Sequence, residues 1–411
     1  MQSSIKTKSG DASGVVQQVY SPQAILFIHH ANDMYGADIS LLHSLRSLER
    51  EKYYPIVILP LDMTTGMLSS ELDRLGVEYH FVPLGILRRK YFSVRRILPL
   101  VKALIRGVAR VRSIARSREV ALVYVNTIVA GSGAIGGRLA GVPVLWHLHE
   151  ILSMPRPVRW VLYKWLKLCS KRVVCVSRAV RDSVVKEEPG LASKSVVVYN
   201  AVTVSGGETA EPGADLRAEL GLPSETELVG MVGRISHWKG QEILVKASAL
   251  VLQKHPEVHF VAVGSYFADE AHYLENLQAL IRSLALEERF HIVGYRSDVV
   301  NVYRALDVFV LPSIKPEPFG RVTVEAMTQG CAVIATNHGG SCELIEQGVT
   351  GMLVPPSDPQ ALAGAIEQLL SDATLRKNMG KAASIYALNH FGLPSYERQM
   401  RDIIDELVEA R

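Results

Sequence analysis

Short apolar runs recur along the chain. Between them lie stretches whose apolar residues return every third or fourth position. Runs of four to eight residues bounded by turn formers predict buried strands, and the intervening spacing predicts amphipathic helices. In the first half the predicted strands are Ala24–His29, Pro55–Pro60, Val77–Val82, Val120–Val125, Val142–Trp146, Arg172–Val176 and Ser195–Tyr199. In the second half they are Leu228–Val232, Val258–Val263, Phe290–Val293, Val308–Leu311, Ala332–Ala335 and Gly351–Val354. Strands alternating with helices predict an α/β chain with parallel sheets covered on both faces. The alternation breaks once, at Val204–Gly213, where Gly, acidic and small residues cluster. This break separates two Rossmann-like domains, 22–203 and 215–390, joined by a linker at 204–214. Ligands are then expected in a cleft between the domains, at the carboxyl ends of the strands.

Composition narrows the class. The chain has 411 residues, 48% hydrophobic and 21% charged, which suits two packed cores and excludes disorder, collagen or a coiled coil as the main architecture. Residues 1–21 are polar and Gly/Ser-containing, and are expected to be poorly ordered. They show neither the apolar segment nor the small-residue cleavage site of a secretory signal. No apolar run is long enough to predict a transmembrane helix. The four cysteines, Cys169, Cys175, Cys331 and Cys342, make no C-x-x-C pair. A reducing cytosol is the expected location.

Charge is divided unequally. Residues 1–200 carry 28 Lys/Arg against 14 Asp/Glu, and the remainder carries 17 against 27. A basic half joined to an acidic half predicts two domains with different partners.

Five strings carry candidate chemistry. The first is Glu317-Pro-Phe319-Gly320-Arg321-Val322-Thr-Val-Glu325. Pro316 and Pro318 favour an extended Glu317, and Gly320 suits a turn into a helix over Arg321–Gln329. Free N–H groups at that helix start, aided by its dipole, suit an anion. Two carboxylates flanking a phosphate site suit a nucleotide-sugar, with Glu325 in the first turn facing ribose and Glu317 the sugar. The second is Gly233-Arg234-Ile-Ser-His-Trp-Lys239-Gly240, which places two cations after a strand, where a diphosphate would lie. Such cations stabilise the negative charge of a departing nucleotide diphosphate. The third is Met34-Tyr35-Gly36-Ala37-Asp38, a single glycine at a strand-to-helix turn that permits close ligand approach. The fourth is Trp146-His147-Leu148-His149-Glu150; alternation puts both histidines on one strand face. The residues favour a structural role for His147 and a functional one for His149. No third metal ligand accompanies them. The fifth is Phe290-His-Ile-Val-Gly294-Tyr295, where a strand end could read a base edge through its backbone.

Together these strings resemble the retaining glycosyltransferases of the GT-B fold, in glycosyltransferase family four, from about residue 22 to the end. The most specific elements are the E-x7-E pattern of Glu317 and Glu325 and the G-R-x4-K-G string of Gly233 to Gly240. Val198-Tyr-Asn200-Ala201-Val202, Cys175-Val-Ser177-Arg and Val308-Phe-Val-Leu-Pro-Ser313 are also family-like. Ala201 stands where the family usually has glycine. The resemblance implies that Arg234 and Lys239 neutralise the donor diphosphate, Glu325 holds ribose and Glu317 the transferred sugar. It places His149 beside the donor sugar and Gly36 along the diphosphate or acceptor side of the cleft. It further implies retention of configuration, no metal and no cofactor beyond the donor. A last helix, within 391–411, would cross back onto the first domain. Bacterial surface-polysaccharide assembly is the expected setting, with a hexose moving to a glycan or lipid-linked saccharide. UDP is favoured over GDP. A nucleotide-sugar epimerase and a non-catalytic sugar-nucleotide-binding protein are the rival readings.

The basic half suggests where an acceptor would come from. Residues 88–118 hold 11 Arg/Lys and no acid. Val94, Ile97, Leu98, Val101, Leu104, Ile105, Val108 and Val111 follow helical spacing through them. A second basic cluster spans 156–172. Both predict docking on an anionic membrane, so the chain is expected to be cytoplasmic and peripheral on the inner face of the plasma membrane. No nucleic-acid module accompanies the charge, and nucleic acid is not an expected partner.

Overall fold

The computed structural model describes residues 21–87, 94–202, 216–266 and 270–410. The expected N-terminal tail up to residue 20 and the whole expected linker lie outside them, as do Arg88, Arg89 and Lys90. All thirteen predicted strands form. The first sheet contains β1 (Gln23–Ile28), β2 (Tyr53–Pro60), β3 (Glu78–Val82), β4 (Leu122–Val125), β5 (Val144–Leu148), β6 (Arg172–Cys175) and β7 (Ser195–Val197), ordered β3-β2-β1-β4-β5-β6-β7. The second contains β8 (Leu228–Val232), β9 (His259–Val263), β10 (Phe290–Val293), β11 (Val308–Leu311), β12 (Ala332–Thr336) and β13 (Met352–Val354), ordered β10-β9-β8-β11-β12-β13. Every pairing is parallel. The central strands β1, β4, β8 and β11 are buried along almost their whole length, because helices cover both faces.

Strand order fixes where a ligand can sit. In the first sheet the order reverses between β1 and β4, and in the second between β8 and β11. The loops leaving such a pair diverge to opposite faces and open a crevice. Both crevices face the space between the domains. A Cβ on Gly36, after β1, would lie 3.4 Å from Arg321 Cδ of the other domain.

The domains are joined by more than the chain between them. Glu343 of the second domain accepts hydrogen bonds from the backbone N–H groups of Arg178 and Ala179, each at 2.8 Å. Those N–H groups open the helix Arg178–Glu187, where a carboxylate meets the positive end of the helix dipole. Glu343 also accepts from Tyr199 Oη at 3.0 Å, and Ser177 Oγ donates to the Pro318 carbonyl at 2.5 Å.

The final helix, Leu393–Glu409, returns to the first domain. Tyr396, Met400, Ile404, Leu407 and Val408 are buried with Ile25, Phe27, Leu41, Leu45 and Tyr124. Tyr396 Oη lies 2.6 Å from Ser44 Oγ, and Tyr53 Oη donates to Asp405 at 2.7 Å.

The basic helix, Val94–Ser117, is divided lengthwise. Val111, Ile114 and Ala115 enter the core, but Ile97, Leu98, Val101 and Ile105 face outward, Leu98 being 62% exposed. The predicted stripe is therefore continuous in sequence but packs on the domain only in its second half.

Candidate active site

The crevice of the second domain is built from three loops. Gly233 ends β8 with φ +153, and the loop closes at Gly240 with φ +77. A Cβ on Gly240 would lie 2.0 Å from the Pro312 carbonyl oxygen, so only glycine lets this loop rest on the end of β11. That seating carries Lys239 to Glu317: Nζ lies 2.8 Å from Oε1. Ser313 Oγ donates to the same oxygen at 2.5 Å. The Glu317 side chain is only 4% exposed and that of Lys239 14%. The ion pair bridges the loops after β8 and β11, across the point where strand order reverses. Lys239 also lies 4.3 Å from the Trp238 ring centroid. The ammonium has three donors, so pairing with Glu317 leaves capacity for a phosphate.

Arg234 is held at the start of the same loop. Its carbonyl accepts from Gln241 Nε2 at 2.9 Å, and its guanidinium Nε lies 3.9 Å from Glu270.

The third loop enters the helix Arg321–Thr328 through Gly320, whose φ is +99. Glu325 is the fifth residue of this helix, so it lies in the second turn and not the first. The helix begins at Arg321, where the sequence predicts it, directly after the left-handed Gly320. Glu325 accepts from Tyr303 Oη at 2.9 Å and pairs with Arg321 at 3.4 Å. Burial and the neighbouring Glu325 charge push the Tyr303 phenol far above its usual range. Arg321 also donates to the Ala201 carbonyl at 2.8 Å, fastening this helix to the segment that leaves the first domain. Val322 is half-buried at the helix start.

Phe319 departs from the sequence-based expectation. Its side chain is buried, with ring centroids 6.1 Å from Tyr199 and 5.7 Å from Phe391. An apolar ring between two prolines and a helix start is drawn into the interdomain aromatic cluster, and only its backbone remains for a donor. Gly294 and Tyr295 follow β10 at the far side of the sheet. A Cβ on Gly294 would meet nothing within 4 Å, and Tyr295 is 60% exposed.

In the first domain the crevice holds a polar cluster at the ends of β1, β4 and β5. His147 and His149 do share a face, with ring centroids 4.1 Å apart. His147 is fully buried and its Nδ1 lies 2.6 Å from Tyr124 Oη; burial pushes it down to about 3. His149 is half-buried, and Nε2 lies 3.0 Å from Asn126 Oδ1. Burial above all, with the Arg321 charge adding to it, pushes His149 well below the usual histidine range. Glu150 is bonded to Thr127. Gly36 opens the helix Gly36–Arg46, whose third residue, Asp38, lies 2.8 Å from His29 Nε2.

Sequence reading missed His29, Asn126 and Asp38 as site residues. Each is one polar residue just beyond an apolar strand or within a helix turn. The only signal was a polar side chain at the C-terminal end of a central strand, and only the strand order makes that meaningful. Among the described residues, no three His, Cys, Asp or Glu side chains converge as a metal site would require. No helix among them is long and apolar enough to cross a membrane.

The site therefore faces a basic loop and an acid-flanked helix start toward a cluster of histidines. Two family models match the chain. Residues 36–205 match the family described as Glycosyltransferase Family 4, and residues 214–385 match Glycosyl transferases group 1. Spore coat protein SA of Bacillus subtilis (strain 168) is 31% identical over 233 residues, 54% of this chain and 61% of that protein. D-inositol 3-phosphate glycosyltransferase of Corynebacterium jeikeium (strain K411) is 34% identical over 208 residues, 48% of this chain and 49% of that protein. The aligned part thus spans about half to three fifths of these curated relatives. A crystal structure of Anabaena HepE with UDP and glucose superposes with a TM-score of 0.79 at 28% identity, covering 93% of this chain and 100% of that one.

Proposed function

Because the chain belongs to the two-domain glycosyltransferases of the GT-B fold, we propose that it moves a hexose from UDP to a glycan or lipid-linked saccharide with retention of configuration. The Lys239–Glu317 pair at the reversal point of the second sheet carries this reading. It puts a cation where a diphosphate would lie and a carboxylate where sugar hydroxyls would follow. Arg234 and Lys239 stabilise the charge that develops as the nucleotide diphosphate leaves. Arg321 and the N–H groups at its helix start hold a phosphate oxygen. Glu325 accepts from ribose hydroxyls, while Glu317 and His149 orient the sugar from opposite walls. Gly233 and Gly36 permit close approach, and the backbone at Gly294 and Tyr295 reads the base. Donor binding needs no metal, because these cations meet the diphosphate directly. The similarity to a structure solved with UDP and glucose supports a UDP donor. Calorimetry with EDTA present is expected to show micromolar binding of UDP and at least tenfold weaker binding of GDP. Equal binding of both, or binding restored only by a divalent cation, would overturn the donor assignment. Product anomers read by NMR test retention.

Access to a lipid-linked acceptor is assigned to the first domain, in surface-polysaccharide assembly at the inner face of the plasma membrane. Ile97, Leu98, Val101 and Ile105 project from the basic helix. Trp160, Val161 and Leu168 project from the helix Arg156–Cys169, which packs, as the basic helix does, on the helix Gly131–Ala140 and carries Lys164 and Lys167, both paired with Glu188. Apolar side chains set among cations suit an anionic bilayer surface, where each cation contributes about 1 kcal/mol. Co-sedimentation with phosphatidylglycerol vesicles is expected at low salt and is expected to fall several-fold in Ile105→Ser/Trp160→Ser. No sedimentation at low salt would sink the assignment.

A further inference from the structure

The first domain holds a chain of buried polar groups leading to His149. We propose that Asp38, His29 and Asn126 act as positioning residues that fix the tautomer of His149, so that it meets its substrate with a proton on Nε2 and a lone pair on Nδ1. The direction of every bond follows from one group that can only accept. The Ala37 carbonyl lies 2.9 Å from the Asn126 amide at Nδ2, and a carbonyl has no proton to give. The amide nitrogen must therefore face Ala37; the flipped amide would set two carbonyl oxygens against each other. The same nitrogen lies 3.0 Å from His29 Nδ1, so Nδ1 accepts and the His29 proton sits on Nε2. That proton is donated to Asp38 Oδ1 at 2.8 Å. The other Asp38 oxygen accepts from the Tyr35 N–H at 2.9 Å. Burial raises the Asp38 carboxyl, but the hydrogen bonds from His29 and the Tyr35 N–H outweigh it and hold it below its usual range.

At the far end, the Asn126 carbonyl oxygen can only accept. His149 Nε2, 3.0 Å away, must donate to it. With His149 neutral, Nδ1 is left as an acceptor. His29, Asp38 and Asn126 are each at most 1% exposed, so water cannot substitute for any of these bonds. The neighbours of His149 do not supply a competing proton: His147 uses Nδ1 on Tyr124, and its ring lies tilted by 49° beside His149 with no hydrogen bond between them. The wall of the crevice therefore presents a hydrogen-bond acceptor to a substrate hydroxyl.

This inference rests on the proposed sugar transfer only in its kinetic arm. The first test is NMR of ligand-free protein labelled with 15N-histidine, His149 being assigned by the resonances lost in His149→Gln. The expected signature is one neutral ring with a protonated Nε2 and an unprotonated Nδ1. A proton on Nδ1, or a charged ring at neutral pH, would overturn the proposal. In Asn126→Ala the two nitrogens are expected to average toward each other as both tautomers become populated; an unchanged signature would also overturn it. Asn126→Ala is further expected to lower kcat/KM about tenfold or more, the effect of one misplaced buried hydrogen bond. Calorimetric UDP affinity should stay within about twofold, since UDP is assigned to the other domain; parallel loss of both would mark a merely structural role. A correct tautomer in a protein without transferase activity would count against the function and leave the positioning chain standing.

Discussion

Lys239→Met is expected to abolish most transfer and to destabilise the second domain together, because one bond serves both. The Glu317 carboxylate is 4% exposed and Lys239 is its cation. Removing one partner of such a buried pair leaves an uncompensated charge and costs about 3–5 kcal/mol. Loss of a fixed donor to a developing negative charge lowers kcat by about 10²–10³. Glu317→Gln should be milder in stability, since the amide oxygen still accepts from Lys239 and from Ser313 Oγ. The double variant Lys239→Met/Glu317→Gln should then be more stable than Lys239→Met alone, because the stranded charge is gone. Urea unfolding of the four proteins measures this coupling. Additive losses would show that the two side chains do not support one another. Full activity in Lys239→Met would remove Lys239 from the donor site.

Deleting residues 393–411 is expected to leave a chain that no longer folds its first domain, although the deletion removes nothing from that domain's own sequence. Tyr396, Met400, Ile404, Leu407 and Val408 are all buried against β1, β4 and the helix Gly36–Arg46. Each such side chain contributes roughly 1.5–3 kcal/mol on burial. Their total is comparable to the whole stability of a typical domain, about 5–15 kcal/mol. The deletion also takes Asp405 from Tyr53 and Tyr396 from Ser44, which keeps only Ser40 and Tyr124 as partners. The expected result is insolubility or rapid proteolysis confined to residues 21–202, with the second domain resistant. Ile404→Ala is the graded form and should cost about 2–5 kcal/mol. A soluble, cooperatively unfolding truncation would show that the returning helix is not part of the core.

Much of this architecture was legible before any coordinates. Buried parallel strands are nearly continuous apolar runs, so all thirteen could be placed within about two residues. The glycine at 320 was legible as a turn because positive φ excludes most other residues. What misled the reading was local. Phe319 belongs to a string of site residues, yet its ring packs between Tyr199 and Phe391, partners 120 and 72 positions away. Glu325 was placed one turn early, because the fifth residue of a helix that starts at Arg321 already lies past its first turn. The apolar stripe of the basic helix has one spacing throughout, but only its second half finds a partner.

By itself, the sequence determined the two α/β domains, their strands, the turns that need glycine and the unequal charge, since these follow from the period of side chains and the limits of the backbone. The tertiary structure alone decided that Lys239 pairs with Glu317, that Tyr396 reaches Ser44, and that Asp38, His29, Asn126 and His149 form one chain. Those contacts join residues on different strands. They depend on strand order, and strand order is set by how whole helices and sheets bury their faces against one another.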